Sequence, residues 1–329
     1  MLSRYARNVF FAALLAVPMV SQASHIMGGE LVYKHLGGLD YEVTLVIYRD
    51  CYGIPISSPE AILITSSSCG QSISLPVDTI GVAQLASGCS NLLTTCQGGQ
   101  LPGFEVYAYR DTVSLPMACA DWVFTWASCC RNAAVTNLTA PDQYGYHVEA
   151  HLNNLAVAGN SSPVFQELEM PFTCVNSTYC LDNGAYDADG DSLVYSMVNP
   201  LDDQGTPIPY NAPFSVADPF PTVGGHFFDP VTGNHCAVPS QNGAWVMAYK
   251  VEEYRNGVFV GSVVRDIQIW TSVCASAVLD FAGTVTDTIG NPVTSGDVEL
   301  YAYGLNQAGS MMVASTTVNG LGEYSFTNQ

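Results

Sequence analysis

The sequence predicts an all-β protein built from tandem β-sandwich domains, and three observations carry that reading. Strand-like alternation recurs along the chain, no segment beyond the first 23 residues offers an amphipathic helix, and 29 glycines and 18 prolines punctuate the alternating runs. Tyr41-Glu42-Val43-Thr44-Leu45-Val46-Ile47-Tyr48 is β-branched and aromatic, bounded by Gly37-Gly38 before and Cys51-Tyr52-Gly53 after. Residues 104–109, 122–126, 245–251, 258–264 and 267–270 read the same way. Asn256-Gly257 sits between two such runs and is the strongest hairpin signal in the chain. Sheets with one apolar face must bury it against another layer, so sandwiches follow.

The chain opens on a secretory leader. Arg4 and Arg7 precede an apolar run from Val9 to Val20, and Ser21-Gln22-Ala23 supplies the small residues of a cleavage site after Ala23. A run this short does not span a bilayer, and no later stretch is long and apolar enough to do so. The mature chain is therefore expected outside the cell, associated with its surface. The leader holds two of the nine basic residues and none of the 29 acidic ones, so cleavage moves the formal charge from −20 to −22. Nucleic acid and anionic membrane surfaces are poor partners for such a chain, whereas divalent cations are good ones. With 48% hydrophobic and only 12% charged residues, the composition suits packed cores rather than a disordered acidic tail.

Eleven cysteines all follow the leader: Cys51, Cys69, Cys89, Cys96, Cys119, Cys129, Cys130, Cys174, Cys180, Cys236 and Cys274. In an exported chain they read as disulfides, and the absence of any C-x-x-C pair removes support for zinc ribbons and thioredoxin-type redox sites. Their odd number leaves one free, paired outside the chain, or paired between molecules, and spacing does not reveal connectivity. Cys129 and Cys130 are expected to reach different partners, because side chains of adjacent strand residues point to opposite faces. Three units are expected: 24–173 with seven cysteines, 174–275 with Cys174 and Cys274 near its ends, and 281–329. The last holds about four strand-like runs, fewer than a seven-stranded sandwich, so the chain reads as a piece of a longer protein.

Asp187-Ala188-Asp189-Gly190-Asp191-Ser192 is the sharpest candidate site. Carboxylates at alternate positions around a glycine turn, Asp187, Asp189 and Asp191, converge the hard oxygens that calcium takes. It is not an EF-hand, because its sixth position is Ser192 and its twelfth Val198. The competing reading is a solvated Asp/Gly turn that opens a strand. Asp182, Asp202 and Asp203 are candidate additional ligands.

Other clusters carry weaker signals. His147, Glu149 and His151 share one face of a strand, but Val148, Ala150 and Leu152 form the buried one, so the polar three read as a solvated face. Glu252-Glu253 resembles a glycosidase pair only in composition, since neighbours on a strand face opposite ways. Trp122, Trp126, Trp245 and Trp270 read as core or as a sugar-stacking platform. Sequons at Asn137, Asn160 and Asn176 matter only in a eukaryotic secretory host. The chain contains no G-x-S-x-G, phosphate loop or dinucleotide fingerprint.

Several motifs carry a family resemblance. Residues 23–30 (ASHIMGGE), 41–51 (YEVTLVIYRDC), Cys129-Cys130-Arg131-Asn132, Leu152-Asn153-Asn154-Leu155, Asn160-Ser161-Ser162-Pro163 and 187–195 (DADGDSLVY) continue into Tyr210-Asn211-Ala212-Pro213, 228–233 (FDPVTG) and 251–255 (VEEYR). In this order they resemble the N-terminal region of large modular cell-surface proteins of gliding, Bacteroidetes-type bacteria. The resemblance spans about residues 24–275. It implies Ig-like and cadherin-like sandwiches, calcium at Asp187, Asp189 and Asp191, and a sorting domain beyond this chain. The segment from Phe281 resembles carboxypeptidase regulatory-like and Cna-B-type modules, which share a prealbumin-like, carbohydrate-binding-like fold. The expected function is a non-catalytic adhesin-like surface protein, associated with attachment or gliding, whose ligand is an unidentified surface glycan or protein. The alternative is a carbohydrate-binding accessory region of a larger secreted hydrolase.

Overall fold

The computed structural model describes residues 26–53, 55–85, 94–99, 103–166, 172–274, 281–303 and 310–326. The expected leader over residues 1–23 and Cys89 lie outside the described residues. Among the described residues the chain is strands, turns and loops with two short 3₁₀ turns and no α-helix, the all-β class that the alternation predicts. No helix among them is long and apolar enough to cross a membrane. The chain divides into a compact unit up to Val273 and a second from Cys274.

In the first unit, seven strands form a curled antiparallel sheet. They are β1 (Ile26–Gly37), β2 (Asp40–Asp50), β3 (Glu60–Ser66), β4 (Gln71–Leu85), β5 (Phe104–Ser114), β6 (Trp122–Ser128) and β7 (Tyr146–Leu152). Their spatial order is β1-β2-β5-β4-β3-β6-β7. Short strands β8 (Val164–Phe165), β9 (Phe172–Cys174), β10 (Tyr179–Leu181) and β11 (Ala185–Tyr186) lead to β12 (Ser192–Val198), β13 (Thr222–Phe228) and β14 (His235–Pro239). Two long strands, β15 (Gly243–Arg255) and β16 (Val258–Ser272), complete the unit. Asn256 and Gly257 join them with φ of 52° and 80°, as a tight hairpin turn demands.

Strand β16 closes the curl. Strand β15 occupies one of its edges along nearly the whole length. The other edge is shared in succession by β7 at residues 261–263, β1 at 265–267 and β9 at 270–272. The first and last strands of the curled sheet are thus both hydrogen-bonded to β16, and neither leaves its outer edge bare there. The boundary expected near residue 174 is therefore absent: strands from the expected units 24–173 and 174–275 build one sheet and one compact unit. The physical reason is that unpaired strand edges inside a packed domain leave backbone donors and acceptors unsatisfied, and the later segment satisfies those of the earlier one.

Glycine makes this closure feasible. A Cβ on Gly28 would stand 2.8 Å from the Asp266 carbonyl oxygen, and one on Gly29 would stand 2.7 Å from that of Val46. Only a strand bare at both positions fits between β2 and β16. The alternating rows of the sequence then fill the interior: Tyr41, Val43, Leu45 and Ile47 of β2 meet Trp122, Phe124 and Trp126 of β6 and Val148 and Ala150 of β7. A second core forms where the sheet β10-β14-β13 covers Trp245, Met247 and Tyr249 of β15 and Ile267 and Ile269 of β16.

Adjacent charges on β16 are buried on opposite sides. Arg265 bonds Glu30 of the paired strand at 2.6 Å and lies over the Phe165 ring at 3.9 Å. Asp266 receives two hydrogen bonds from Arg131, at 2.6 and 3.2 Å, while Arg131 also donates to the Leu201 carbonyl and lies over Tyr146.

Disulfides pair Cys51 with Cys96, Cys69 with Cys119, and Cys180 with Cys236, the last joining register partners on β10 and β14. Cys174 and Cys274 are also disulfide-bonded. Cys129 and Cys130 are bonded to each other, contrary to the expectation of separate partners. That expectation assumed a strand, but β6 ends at Ser128 and the two cysteines lie in the loop beyond it, where alternation no longer directs their side chains. In the second unit, β17 (Phe281–Thr284) pairs with β20 (Glu323–Phe326), and β18 (Asp297–Tyr303) pairs with β19 (Ser310–Thr317).

The ion pair across β16 yields a direct expectation. Arg131→Ala strands the Asp266 carboxylate in the interior and should lower the free energy of unfolding by about 3–5 kcal/mol in urea titration. The apolar double replacement Arg131→Met with Asp266→Leu should recover most of that loss. A cost below about 1 kcal/mol for the single variant would mean that the pair is not buried in solution.

Candidate functional site

The segment 187–191 forms the loop between β11 and β12, and its conformation is set by Asp187 together with Gly190. Asp187 Oδ1 accepts hydrogen bonds from the backbone N–H of Asp189 at 3.0 Å and of Asp191 at 2.7 Å, while Gly190 takes a φ of 79°. The same device recurs at Asp202, Asp287 and Asn319, each accepting from the second and fourth residues that follow, with positive-φ glycine at the third. The turn therefore needs one Asx residue and one glycine. Asp189 and Asp191 are additional to it.

The three loop carboxylates do not converge on one point. Asp189 Oδ2 accepts from the Ser161 backbone N–H at 2.7 Å. Asp191 is held by Arg255, whose Nε and Nη2 each donate to it at 2.7 Å. Asp182 turns onto the backbone N–H of Gly184, and Asp202 caps its own loop, which Asp203 shares. The acidic group that does approach is Glu253: oxygens of Asp187, Asp191 and Glu253 lie within 4.8 Å of one another.

Strand register brings Glu253 there. It pairs with Leu193 on β12, next to the end of the loop, and continues the buried row Trp245, Met247, Tyr249, Val251 along β15. Gly261 on β16 is its cross-strand partner, and a Cβ there would lie 2.0 Å from Glu253 Oε1, so this glycine makes room for the carboxylate. Glu253 is fully buried. Its Oε1 accepts from Asn160 Nδ2 at 2.5 Å and from the Tyr33 hydroxyl at 3.2 Å. Its Oε2 and the Oδ2 of Asp187 are buried, and no N–H or O–H of a third residue reaches either. Burial, reinforced by the Asp187 charge and by a hydrogen bond between the two carboxyl groups, pushes the Glu253 carboxyl up to about 9 against the hydrogen bonds from Asn160 and Tyr33. Glu252 points the other way, toward Lys250 and Tyr254, so the two glutamates do face apart.

The remaining sequence candidates find other surroundings. His147, Glu149 and His151 share a face of β7, and Glu149 binds both imidazoles through their Nε2 atoms, at 3.0 and 2.9 Å. Burial works to raise Glu149, but the two hydrogen bonds outweigh it and hold the carboxyl down at about 2. His147 is buried where it bridges the segment at Leu201, whereas Glu149 and His151 stay partly exposed, so the expected solvated face is covered at His147. Trp122, Trp126 and Trp245 are core residues whose indole N–H groups are each satisfied internally, which removes them as a sugar platform; Trp270 is half-buried. Asn137 and Asn160 are fully buried, whereas Asn176 is exposed.

A second polar cluster escaped sequence reasoning because its members lie on three strands. Tyr249 Oη lies 2.6 Å from His235 Nδ1, His235 Nε2 lies 2.8 Å from His226 Nδ1, and His226 Nε2 lies 2.9 Å from the Phe220 carbonyl oxygen. A carbonyl only accepts, so His226 donates to Phe220, His235 to His226, and Tyr249 to His235. The chain is complete with both rings neutral. Burial, reinforced by His226, lowers His235 to about 4, and burial lowers His226 as well.

Comparison with protein-family models, with curated proteins and with solved structures finds no match for this chain.

The histidine chain gives a pH signature. A histidine whose folded pKa lies below its unfolded value near 6.5 contributes stability above that value and loses it as pH falls toward about 4. Urea unfolding should show a loss of about 2 kcal/mol from this residue between pH 7 and pH 4.5, and His235→Phe should shrink the slope over that interval. An unchanged slope in the variant would remove His235 from the account.

Proposed function

We propose that this chain is an exported, disulfide-braced structural module of a bacterial cell surface, serving attachment rather than catalysis. The observation that carries the reading is the bonding of cysteines 45 to 56 residues apart: Cys51–Cys96, Cys69–Cys119 and Cys180–Cys236 each fasten distant segments of the first unit. Such bonds persist in oxidising compartments, which agrees with the leader at residues 1–23. A sheet whose ends are hydrogen-bonded to one strand and whose loops are cross-linked resists unfolding outside the cell. Contact with a surface glycan or protein then falls to exposed loops, since the tryptophans of β6 and β15 serve the core. The family resemblance points the same way, toward adhesin-like proteins of gliding bacteria.

Two measurements check this. The protein expressed with its leader should be cleaved from intact cells by added protease and should show few thiols reactive under native conditions; intracellular retention with reduced cysteines would overturn the reading. Removing Cys180–Cys236 by Cys180→Ser should lower stability by about 2–4 kcal/mol in denaturant titration. Turnover of a substrate by residues 24–329 would replace attachment with an enzymatic role.

A further inference from the structure

We propose that Asp187, Asp191 and Glu253 bind one hard divalent cation, calcium in preference to magnesium, between the loop 187–191 and strand β15. The inference does not depend on where the protein resides. It starts from two buried oxygens that no donor of another residue reaches, Asp187 Oδ2 and Glu253 Oε2, which meet in a side-chain cluster whose members lie within 4.8 Å of one another and where an ion would replace a shared proton. Every other oxygen of those two residues is occupied: backbone N–H groups hold Asp187 Oδ1, and Asn160 and Tyr33 hold Glu253 Oε1. These contacts fix both carboxylates with their free oxygens in the same cluster.

Charge balance favours a cation there. Asp187 and Asp191 stand against the Glu253 carboxyl with Asp189 beside them, and the one basic group bonded to this loop among the described residues is Arg255. Its guanidinium is committed to Asp191 and lies 3.6 Å from Asp189, and no salt bridge reaches Asp187 or Glu253 among the described residues. A fully buried carboxylate is costly unless it is neutralised or paired. Asp191 can serve Arg255 and an ion together, because each carboxylate oxygen offers two lone pairs. The ligand set differs from the loop triad expected from sequence, since Asp189 is turned onto Ser161 and Glu253 takes its place.

Calcium is favoured over magnesium by the burial of Glu253. An ion bound there must surrender water on that side. Magnesium dehydrates reluctantly and demands near-ideal octahedral geometry, whereas calcium accepts irregular sets of oxygen ligands. All-oxygen donors disfavour the softer transition metals.

Terbium, a luminescent stand-in for calcium, tests the site in the mature protein, because the Tyr33 hydroxyl contacts Glu253 and places a sensitising ring beside it. Sensitised emission is expected from the parent, displaced by calcium at concentrations at least about tenfold below those of magnesium. Asp189→Ala should retain it. Glu253→Gln should weaken binding at least about tenfold, a ligand loss worth about 1.4 kcal/mol or more. That variant keeps the shape of the side chain and offers Asp187 an amide donor, so its metal-free melting temperature should not fall. Should it fail to fold, Asp191→Asn provides the same comparison. No emission and no calcium-dependent rise in melting temperature in the parent overturns the site. Emission retained in Glu253→Gln, or lost in Asp189→Ala, overturns this ligand set.

Discussion

Strand β16 carries Arg265 and Asp266 side by side, and because successive strand residues face opposite ways, it drives one charge into each of two packed layers. Each charge is met by a partner from a distant part of the chain, Glu30 for Arg265 and Arg131 for Asp266. Such pairs contribute little net stability, because desolvation offsets most of their attraction. Their effect is on register. A shift of β16 by one residue would exchange the two faces and leave both charges buried without partners, so only one alignment of β1 against β16 is tolerable. The bare backbone of Gly28 and Gly29 permits that alignment, and the ion pairs select it.

The same logic of alternation explains the acidic pocket. Four residues of the row that ends in Glu253 are apolar and buried, and the fifth is a carboxylate held in the same phase. Its burial is not an accident of packing. Gly261 is hollow opposite it, while Asn160 and Tyr33 reach it from other elements. A fold that surrounds one carboxyl with specific donors, and then brings Asp187 to its remaining oxygen, sets two acidic groups against each other, and a shared proton or the proposed cation relieves that opposition. The Asp/Gly loop supplies the rest at low conformational cost, since the turn is already closed by its own backbone.

Two of the buried polar systems of the first unit each join several elements of the fold. The histidine chain links the successive strands β13, β14 and β15 in the layer that covers the second core, whereas the acidic pocket joins β1, β15 and two loops from segments up to 220 residues apart. Satisfied networks such as the histidine chain specify a unique arrangement more than they add stability. In a domain whose cores are filled by interchangeable aliphatic and aromatic side chains, they distinguish the native layer packing from near alternatives.

Local pattern was enough to read the strands. The alternation of Tyr41 to Tyr48, of the Trp122–Trp126 segment and of the two runs around Asn256-Gly257 placed elements and a hairpin that the structure contains, because period-two burial and turn chemistry act over a few neighbouring residues. The loop at Asp187 was equally legible as an Asp/Gly turn. Glu253 was legible only as one of two adjacent glutamates that face opposite ways; its burial depends on Gly261, Asn160 and Tyr33, which come from distant segments. What local pattern could not convey was pairing between distant segments: that β16 would bond both ends of the earlier sheet and erase a domain boundary near Cys174, that Arg255 would claim Asp191, and that Cys129 would bond its neighbour. Those outcomes depend on which edges and charges are left unsatisfied once all the strands are assembled, a condition that exists only in three dimensions.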